Sequence, residues 1–122
     1  HNILIQIAIE LKKEIRLVYV FDIDGTICTN TNGTYESAEP FLDVIASINR
    51  LYENGDIIKM MTARGATTGI DWTSTTAKQL ASWGVKYHEL IMNKKPYGDV
   101  YVDDKAINIA SFRLLTRGKN EK

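Results

Sequence analysis

The feature that most constrains this 122-residue chain is the run Leu17-Val18-Tyr19-Val20-Phe21, which stops abruptly at Asp22-Ile23-Asp24-Gly25. A continuous β-branched and aromatic run of that length, broken by a Gly, reads as a buried strand that delivers two carboxylates into a loop. Helical and strand patterns then alternate. Phe41, Val44, Ile45, Ile48, Leu51 and Tyr52 recur at three- and four-residue steps between Glu39-Pro40 and Asn54-Gly55, which predicts a helix with Pro near its start and Gly past its end. Ile57, Ile58, Met60 and Met61 predict a second strand, closed by Thr62-Ala63-Arg64-Gly65. Residues 72–83 predict a second helix stopped by Gly84, residues 85–91 a third strand and residues 99–103 a fourth. A final helix is expected over 106–115, where Ile107, Ile109, Ala110, Leu114 and Leu115 are apolar, and another over 3–15 ahead of the first strand.

Strands that alternate with helices of roughly ten to fifteen residues imply right-handed crossovers and a parallel sheet covered on both faces. The expected fold is therefore α/β, a Rossmann-like doubly wound parallel sheet of about four to five strands. Ligands of such sheets bind beyond the carboxyl ends of the strands, where the strand order switches. Asp22, Asp24, Thr62 and Asp103 all fall at those ends. The length suits one domain, divided as an N-terminal helix over 1–16 that serves as interface or linker, a core over 17–118 and a tail over 119–122. The first residue is His1 rather than Met, so an upstream segment of a longer product is compatible with the numbering.

Composition removes several classes of function. Hydrophobic residues at 44% and charged residues at 25% fit a folded soluble domain rather than a disordered one. The 15 basic and 15 acidic residues cancel, so no overall field favours nucleic acid or an anionic membrane. Cys28 stands alone, which excludes an internal disulfide and fits a reducing cytoplasm. The apolar stretch 3–11 is too short to span a bilayer and is interrupted by Gln6 and Glu10, so no membrane insertion is expected. Without a secretory context, the sequon Asn32-Gly33-Thr34 is a turn rather than a glycosylation site.

The chemistry lies in the acidic residues. Asp22 and Asp24 end one strand, and Asp103 and Asp104 end another. If the two ends meet, carboxylates about 4 Å apart repel by roughly 4 kcal/mol per pair at the effective dielectric near a protein surface. Such a cluster calls for a cation or shifted proton affinities. Oxygen donors suit a hard ion, and Mg²⁺ is typically held by one or two carboxylates together with waters and substrate phosphate. An aspartate beside it can attack phosphorus, with a Thr62 hydroxyl and a Lys95 ammonium holding phosphate oxygens.

These residues resemble a known family. Asp22-Ile23-Asp24-Gly25-Thr26 resembles the first motif of haloacid dehalogenase phosphatases, Met60-Met61-Thr62 the second, Lys94-Lys95-Pro96 the third and Val100-Tyr101-Val102-Asp103-Asp104 the fourth, in the family's order. The resemblance implies a phosphoric monoester hydrolase with Asp22 as nucleophile, Asp24 as general acid and then base, and Thr62 as phosphate ligand. It further implies Mg²⁺ held by Asp22, the Asp24 backbone carbonyl and Asp103. Lys95 is preferred to Lys94 as the phosphate-binding lysine because the family often follows that lysine with Pro. Asp104 supports the metal through water or pairs with Lys95. Arg64 has two readings, a ligand for a substrate anion or a solvated surface residue. Tyr35, in the loop after the nucleophile, is a candidate for touching substrate, while His88 reads as packed or solvated rather than catalytic, and Trp72 and Trp83 as core or interface residues rather than stacking platforms.

Neither gap in which the family inserts a cap is long enough here, so the chain resembles the capless branch. An open site is closed by a neighbouring subunit of a homo-oligomer or by a large substrate. The Thr-Ala-Arg-Gly segment and the stretch Trp83-Gly84-Val85-Lys86-Tyr87-His88 resemble small phosphatases associated with capsular or surface polysaccharide synthesis, which implies a sugar phosphate or related metabolite as substrate. Two rivals come from other classes. A response-regulator receiver combines similar groups, but its acidic pair comes first and its lysine last, whereas here Asp103-Asp104 follows Lys95. A catalytically silent binding domain would have no need of the full charged set.

Overall fold

The computed structural model describes residues 3–7 and 16–104. Its strands are β1 (Val18–Asp22), β2 (Ile57–Thr62), β3 (Glu89–Met92) and β4 (Val100–Val102), and its longer helices are α1 (Leu42–Glu53) and α2 (Thr73–Ser82). One turn of 3₁₀ helix, Tyr35–Ser37, interrupts the loop between β1 and α1. Residues 3–7 are helical, as the pattern over 3–15 predicts, and their apolar side chains Ile3, Leu4, Ile5 and Ile7 are exposed. The remainder of that helix, the final helix expected over 106–115 and the tail lie outside the described residues.

Local chemistry explains the helix ends. Phe41, just after Pro40, is still extended, and α1 begins at Leu42; Asp43 in its first turn and Arg50 in its last oppose the helix dipole. It stops where Gly55 takes φ +94°, a left-handed conformation open to glycine. In α2 the Asp71 carboxylate accepts the Thr73 backbone N–H at 2.9 Å, tying down the first turn. The third strand starts later than its apolar pattern suggests. Val85 is buried, but its N–H goes to the Leu80 carbonyl at 3.0 Å and closes α2. Pairing with β2 begins only at Lys59↔Glu89. Just before it, His88 donates its N–H to the Ile58 carbonyl and accepts the Ile58 N–H on Nδ1, with its ring stacked on Tyr52.

All strand pairs are parallel, in the order β3-β2-β1-β4. The chain moves outward from β1 through β2 to β3 and then returns to the far side of β1, so the switch in strand order falls between β1 and β4. Side chains from β1, β2, α1 and α2 share one core, with Phe21, Ile58, Met60, Ile45, Ile48 and Leu80 all buried in it. Both helices therefore pack on the same face, as successive right-handed crossovers require. Val20 and Val100, also buried, lie outside that core cluster. The expected α/β parallel sheet is what the structure contains. The segment after β1 returns on itself, with Thr29 donating its N–H to Glu39 O, Glu39 to Thr29 Oγ1 and Phe41 to Ile27 O, and no large cap occurs among the described residues. Nor is any described helix long and apolar enough to cross a membrane.

Candidate active site

The strand register assembles the site. Phe21 lies beside Val102 in the β1–β4 pairing, so one step further brings Asp22 level with Asp103. On its other side Asp22 pairs with Met61, which puts Thr62 one residue beyond it. Adjacent strands lie about 4.8 Å apart, so three strand tips converge at the switch point. A cleft of about 310 Å³ opens there. Asp22, Asp24, Thr62, Ala63 and Arg64 line it from the strand ends, and Asn30, Asn32, Gly33 and Tyr35 from the loop after β1.

Asp22 is under electrostatic pressure. Burial is the main cause raising its pKa from 3.8 to about 6; the Ile23 backbone N–H opposes the rise, and Asp104, Asp24 and Asp103 add to it. Both members of the Asp103-Asp104 pair thus act on the candidate nucleophile although neither lines the cleft. Asp104 sits so close to the turn after β1 that a Cβ on Gly25 would stand 2.7 Å from its Oδ2. Gly25 also has φ +85°, so space and backbone conformation both call for glycine there.

Asp24 faces a different neighbour. Its Oδ2 accepts from Arg64 Nε at 2.9 Å and its Oδ1 from Arg64 Nη2 at 2.8 Å, a fork-to-fork pair. The Cys28 thiol adds a contact to Oδ1 at 3.7 Å. Arg64 itself is 1% exposed, so the solvated-surface reading of this residue is wrong. Its Nη1 donates to Thr76 Oγ1 at 3.1 Å and Gln79 Oε1 at 2.6 Å. Four of the five guanidinium N–H donors are therefore used within the protein. Tyr35 stacks its ring on the guanidinium, 4.7 Å from centroid to Cζ, and meets Trp72 edge-on. Trp83 packs half-buried against the core, in keeping with its reading as a core or interface residue.

Thr62 is 2% exposed, and its Oγ1 accepts the Arg64 backbone N–H at 3.1 Å, which leaves the hydroxyl proton available to a ligand. Lys95 is exposed and its ammonium stands 5.0 Å from the Tyr101 ring centroid; neither it nor Lys94 lines the cleft. The structure thus brings Asp22, Asp24, Thr62, Arg64 and Tyr35 to one cleft, sets Asp103 and Asp104 beside it and leaves Lys95 apart.

A hard cation suits this donor set. Among the described residues, no group of three or more His, Cys, Asp or Glu side chains is gathered tightly enough to hold an ion by side chains alone. Mg²⁺ needs no such cage, since one or two carboxylates with waters and phosphate suffice. The Asp24 carboxylate is turned to Arg64, which fits the expectation that its backbone carbonyl, rather than its side chain, would serve a cation. The acidic groups that push up the Asp22 pKa are those an ion at the β1–β4 junction would relieve.

Sequence reasoning missed Thr76, Gln79 and the Cys28 thiol. The available signal was a polar pair, Thr76 and Gln79, three residues apart on one helical face and next to buried Leu80.

No protein-family model matches the chain, and no curated protein matches it. Solved structures do. The chain is similar to a structural-genomics target from Vibrio cholerae, with TM-score 0.61 and 23% identity over 86% of this chain and 99% of that one. It is similar to a chain of the Pnkp1/Rnl/Hen1 complex, with TM-score 0.53 and 15% identity over 82% of this chain and 33% of that one. A D,D-heptose 1,7-bisphosphate phosphatase from B. bronchiseptica, complexed with magnesium and phosphate, superposes with TM-score 0.49 and 18% identity over 87% and 64% of the two chains. At these identities the first two likenesses establish a shared fold, and the chemistry rests on the residues of this chain.

Proposed function

We propose that the chain is a Mg²⁺-dependent phosphohydrolase of the haloacid dehalogenase type, acting through an aspartyl-phosphate on a phosphorylated small molecule. The observation that carries this reading is the position of Asp22, at the switch point of a parallel sheet, half-buried, pressed by three other carboxylates and open to a cleft. The motif resemblance set out above supports it independently.

Asp22 Oδ attacks phosphorus and the bond from phosphorus to the ester oxygen breaks. The leaving oxygen takes a proton from Asp24, whose carboxyl lines the same cleft. Water then attacks the acyl phosphate, Asp24 takes a proton from that water, and phosphate leaves with Asp22 restored. The Thr62 hydroxyl donates to a phosphoryl oxygen. Asp22, the Asp24 backbone carbonyl and Asp103 would hold the cation, Asp104 would support it through water, and the ion would supply positive charge to the phosphoryl group. Lys95, whose ammonium stands at the Tyr101 ring and which does not line the cleft, would have to turn toward it to hold a phosphoryl oxygen.

The far side of the cleft is neutral and amide-rich, with Asn30 and Asn32. Such a lining hydrogen-bonds hydroxyl groups, which favours a sugar phosphate or related metabolite, and the sequence resemblance extends this to surface polysaccharide synthesis. Phosphate release from an aryl phosphate and a panel of sugar phosphates, with and without Mg²⁺, tests the proposal. Metal-dependent turnover abolished in Asp22→Asn is expected. A long-lived phosphoryl-aspartate without turnover would instead indicate a receiver-like signalling module, and turnover that survives Asp22→Asn would sink the assignment of the nucleophile.

A further inference from the structure

Arg64 is the one buried charged residue among the described residues. Taking a guanidinium out of water is costly unless its hydrogen bonds are replaced and its charge is matched. Here both conditions are met: Asp24 matches the charge, and Asp24, Thr76 and Gln79 together accept four of the guanidinium N–H bonds. Nε and Nη2 clamp the two oxygens of Asp24 at 2.9 and 2.8 Å, which fixes the carboxylate plane as well as its position. The clamp is itself anchored, through Nη1, to Thr76 and Gln79 on α2. Gln79 continues the chain of bonds by donating from Nε2 to the Tyr35 carbonyl at 2.6 Å.

That network has a purpose the local backbone could not serve. Asp24 sits in a turn next to Gly25, where the chain itself does little to fix a side chain two bonds away. Helix α2, packed into the core through Leu80, is a rigid support. The geometry points to Arg64 as the positioning residue of the acid–base carboxylate, holding Asp24 at the angle from which it reaches the leaving oxygen and later the attacking water. This inference rests on the phosphohydrolase reading and deepens it. It also takes Arg64 out of the group of substrate ligands, since one N–H of the guanidinium is left for any anion.

The leaving group separates this role from a structural one. An aryl phosphate expels an anion stable enough to depart without a proton, whereas an alkyl phosphate needs the general acid. Hydrolysis of the aspartyl-phosphate needs Asp24 as base for either substrate. In Arg64→Met, which keeps the bulk and removes the clamp, p-nitrophenyl phosphate should give a rapid burst of about one equivalent of nitrophenol followed by a steady rate roughly 100-fold below wild type. Glycerol 2-phosphate should show no burst, with its first turnover slowed by roughly 100-fold. KM should fall along with kcat for p-nitrophenyl phosphate, because the aspartyl-phosphate accumulates, and should change little for glycerol 2-phosphate, where both steps slow together. Arg64→Lys, which keeps the charge without the fork, should behave like Arg64→Met.

The measurement is rapid-quench kinetics on the full chain with Mg²⁺, with circular dichroism to establish folding. If the Arg64 variants do not fold, Gln79→Met, which cuts the anchor and leaves the clamp in place, should show the same asymmetry at smaller amplitude. Equal slowing of both first turnovers, or a rise in KM with kcat intact, overturns the positioning role. A wild-type chain that turns over neither substrate overturns the phosphohydrolase reading and this inference with it. Wild-type turnover abolished by Asp22→Asn, together with equal slowing in the Arg64 variants, overturns this inference alone.

Discussion

In the absence of metal, replacing the candidate nucleophile should stabilise the protein. Folding carries the Asp22 pKa from 3.8 to about 6, with burial the first cause and the neighbouring aspartates adding to it. One pKa unit corresponds to about 1.4 kcal/mol, so a fully desolvated group shifted by about two units would cost about 3 kcal/mol in its charged form. Asp22 is only half-buried and borders an open cleft, and solvent screening reduces this to about 1–2 kcal/mol. Asp22→Asn keeps the shape and an oxygen for the Ile23 N–H while removing the charge. For a domain of this size the gain corresponds to a rise in melting temperature of about 4–8 °C.

The pH dependence fixes the sign. Below the ordinary carboxylate range Asp22 is protonated in both folded and unfolded chains, and wild type and variant should differ little. As pH rises from about 4 to about 6 the unfolded chain loses this proton first, so the folded state binds more protons and wild type loses stability relative to the variant. Above about 6 the gap is constant. Thermal melts followed by circular dichroism in a chelator, from pH 4 to 8, would trace this curve. Adding Mg²⁺ should then raise the wild-type melting temperature and leave the variant unmoved, narrowing or reversing the gap. A variant that melts at or below wild type at pH 7 in chelator refutes the claim that Asp22 folds under strain.

Three further outcomes follow from individual residues. Gly25→Ala places a Cβ 2.7 Å from Asp104 Oδ2 at φ +85°; it should cost about 1–2 kcal/mol in urea denaturation and raise the Mg²⁺ needed for half-maximal activity by roughly tenfold. Gly65→Ala drives a Cβ into the Ile70 carbonyl, which is backbone and cannot turn aside, at φ +84°; a loss on the order of 2–4 kcal/mol is expected by the same assay. Cys28 is fully buried, and its thiol pKa is pushed up to about 12, first by burial and then by Asp24. Ellman's reagent should therefore leave it unlabelled in native buffer at pH 8 and label it in denaturant.

The sheet and the acidic residues were legible because they are local. Leu17 to Phe21 declares a buried strand by its own composition, and a strand's end determines where the next residues emerge, so Asp22 and Asp24 could be placed without knowing what surrounds them. Asp103 was legible for the same reason at the end of β4. Val85 was misplaced because apolar character reports burial without saying whether a residue's N–H goes to a sheet or closes a helix. Arg64 was ambiguous because its surroundings are not local. Its partners Asp24, Thr76 and Gln79 lie 40, 12 and 15 residues away, and no pattern near Thr-Ala-Arg-Gly says that three such groups converge on it. A charged residue two positions after a strand looks solvated until the fold supplies the counter-charge.

That commitment of Arg64 also bears on the need for a cation. The side chains lining the cleft include two carboxylates, Asp22 and Asp24, and a single cationic group, Arg64, whose donors are largely spent on Asp24. Asp103 and Asp104 add negative charge at the edge. The Lys95 ammonium stands at the Tyr101 ring. A phosphate monoester approaching such a surface meets repulsion of roughly 4 kcal/mol per unit charge from Asp22 at about 4 Å, and neither the one guanidinium N–H left over nor the Thr62 hydroxyl offsets it. A substrate carrying two negative charges can settle against Asp22 only if positive charge arrives with it or before it. The buried arginine that makes Asp24 a well-placed acid thus leaves the phosphoryl group to be neutralised from outside the chain, and this is the physical reason to expect activity to vanish when Mg²⁺ is withdrawn.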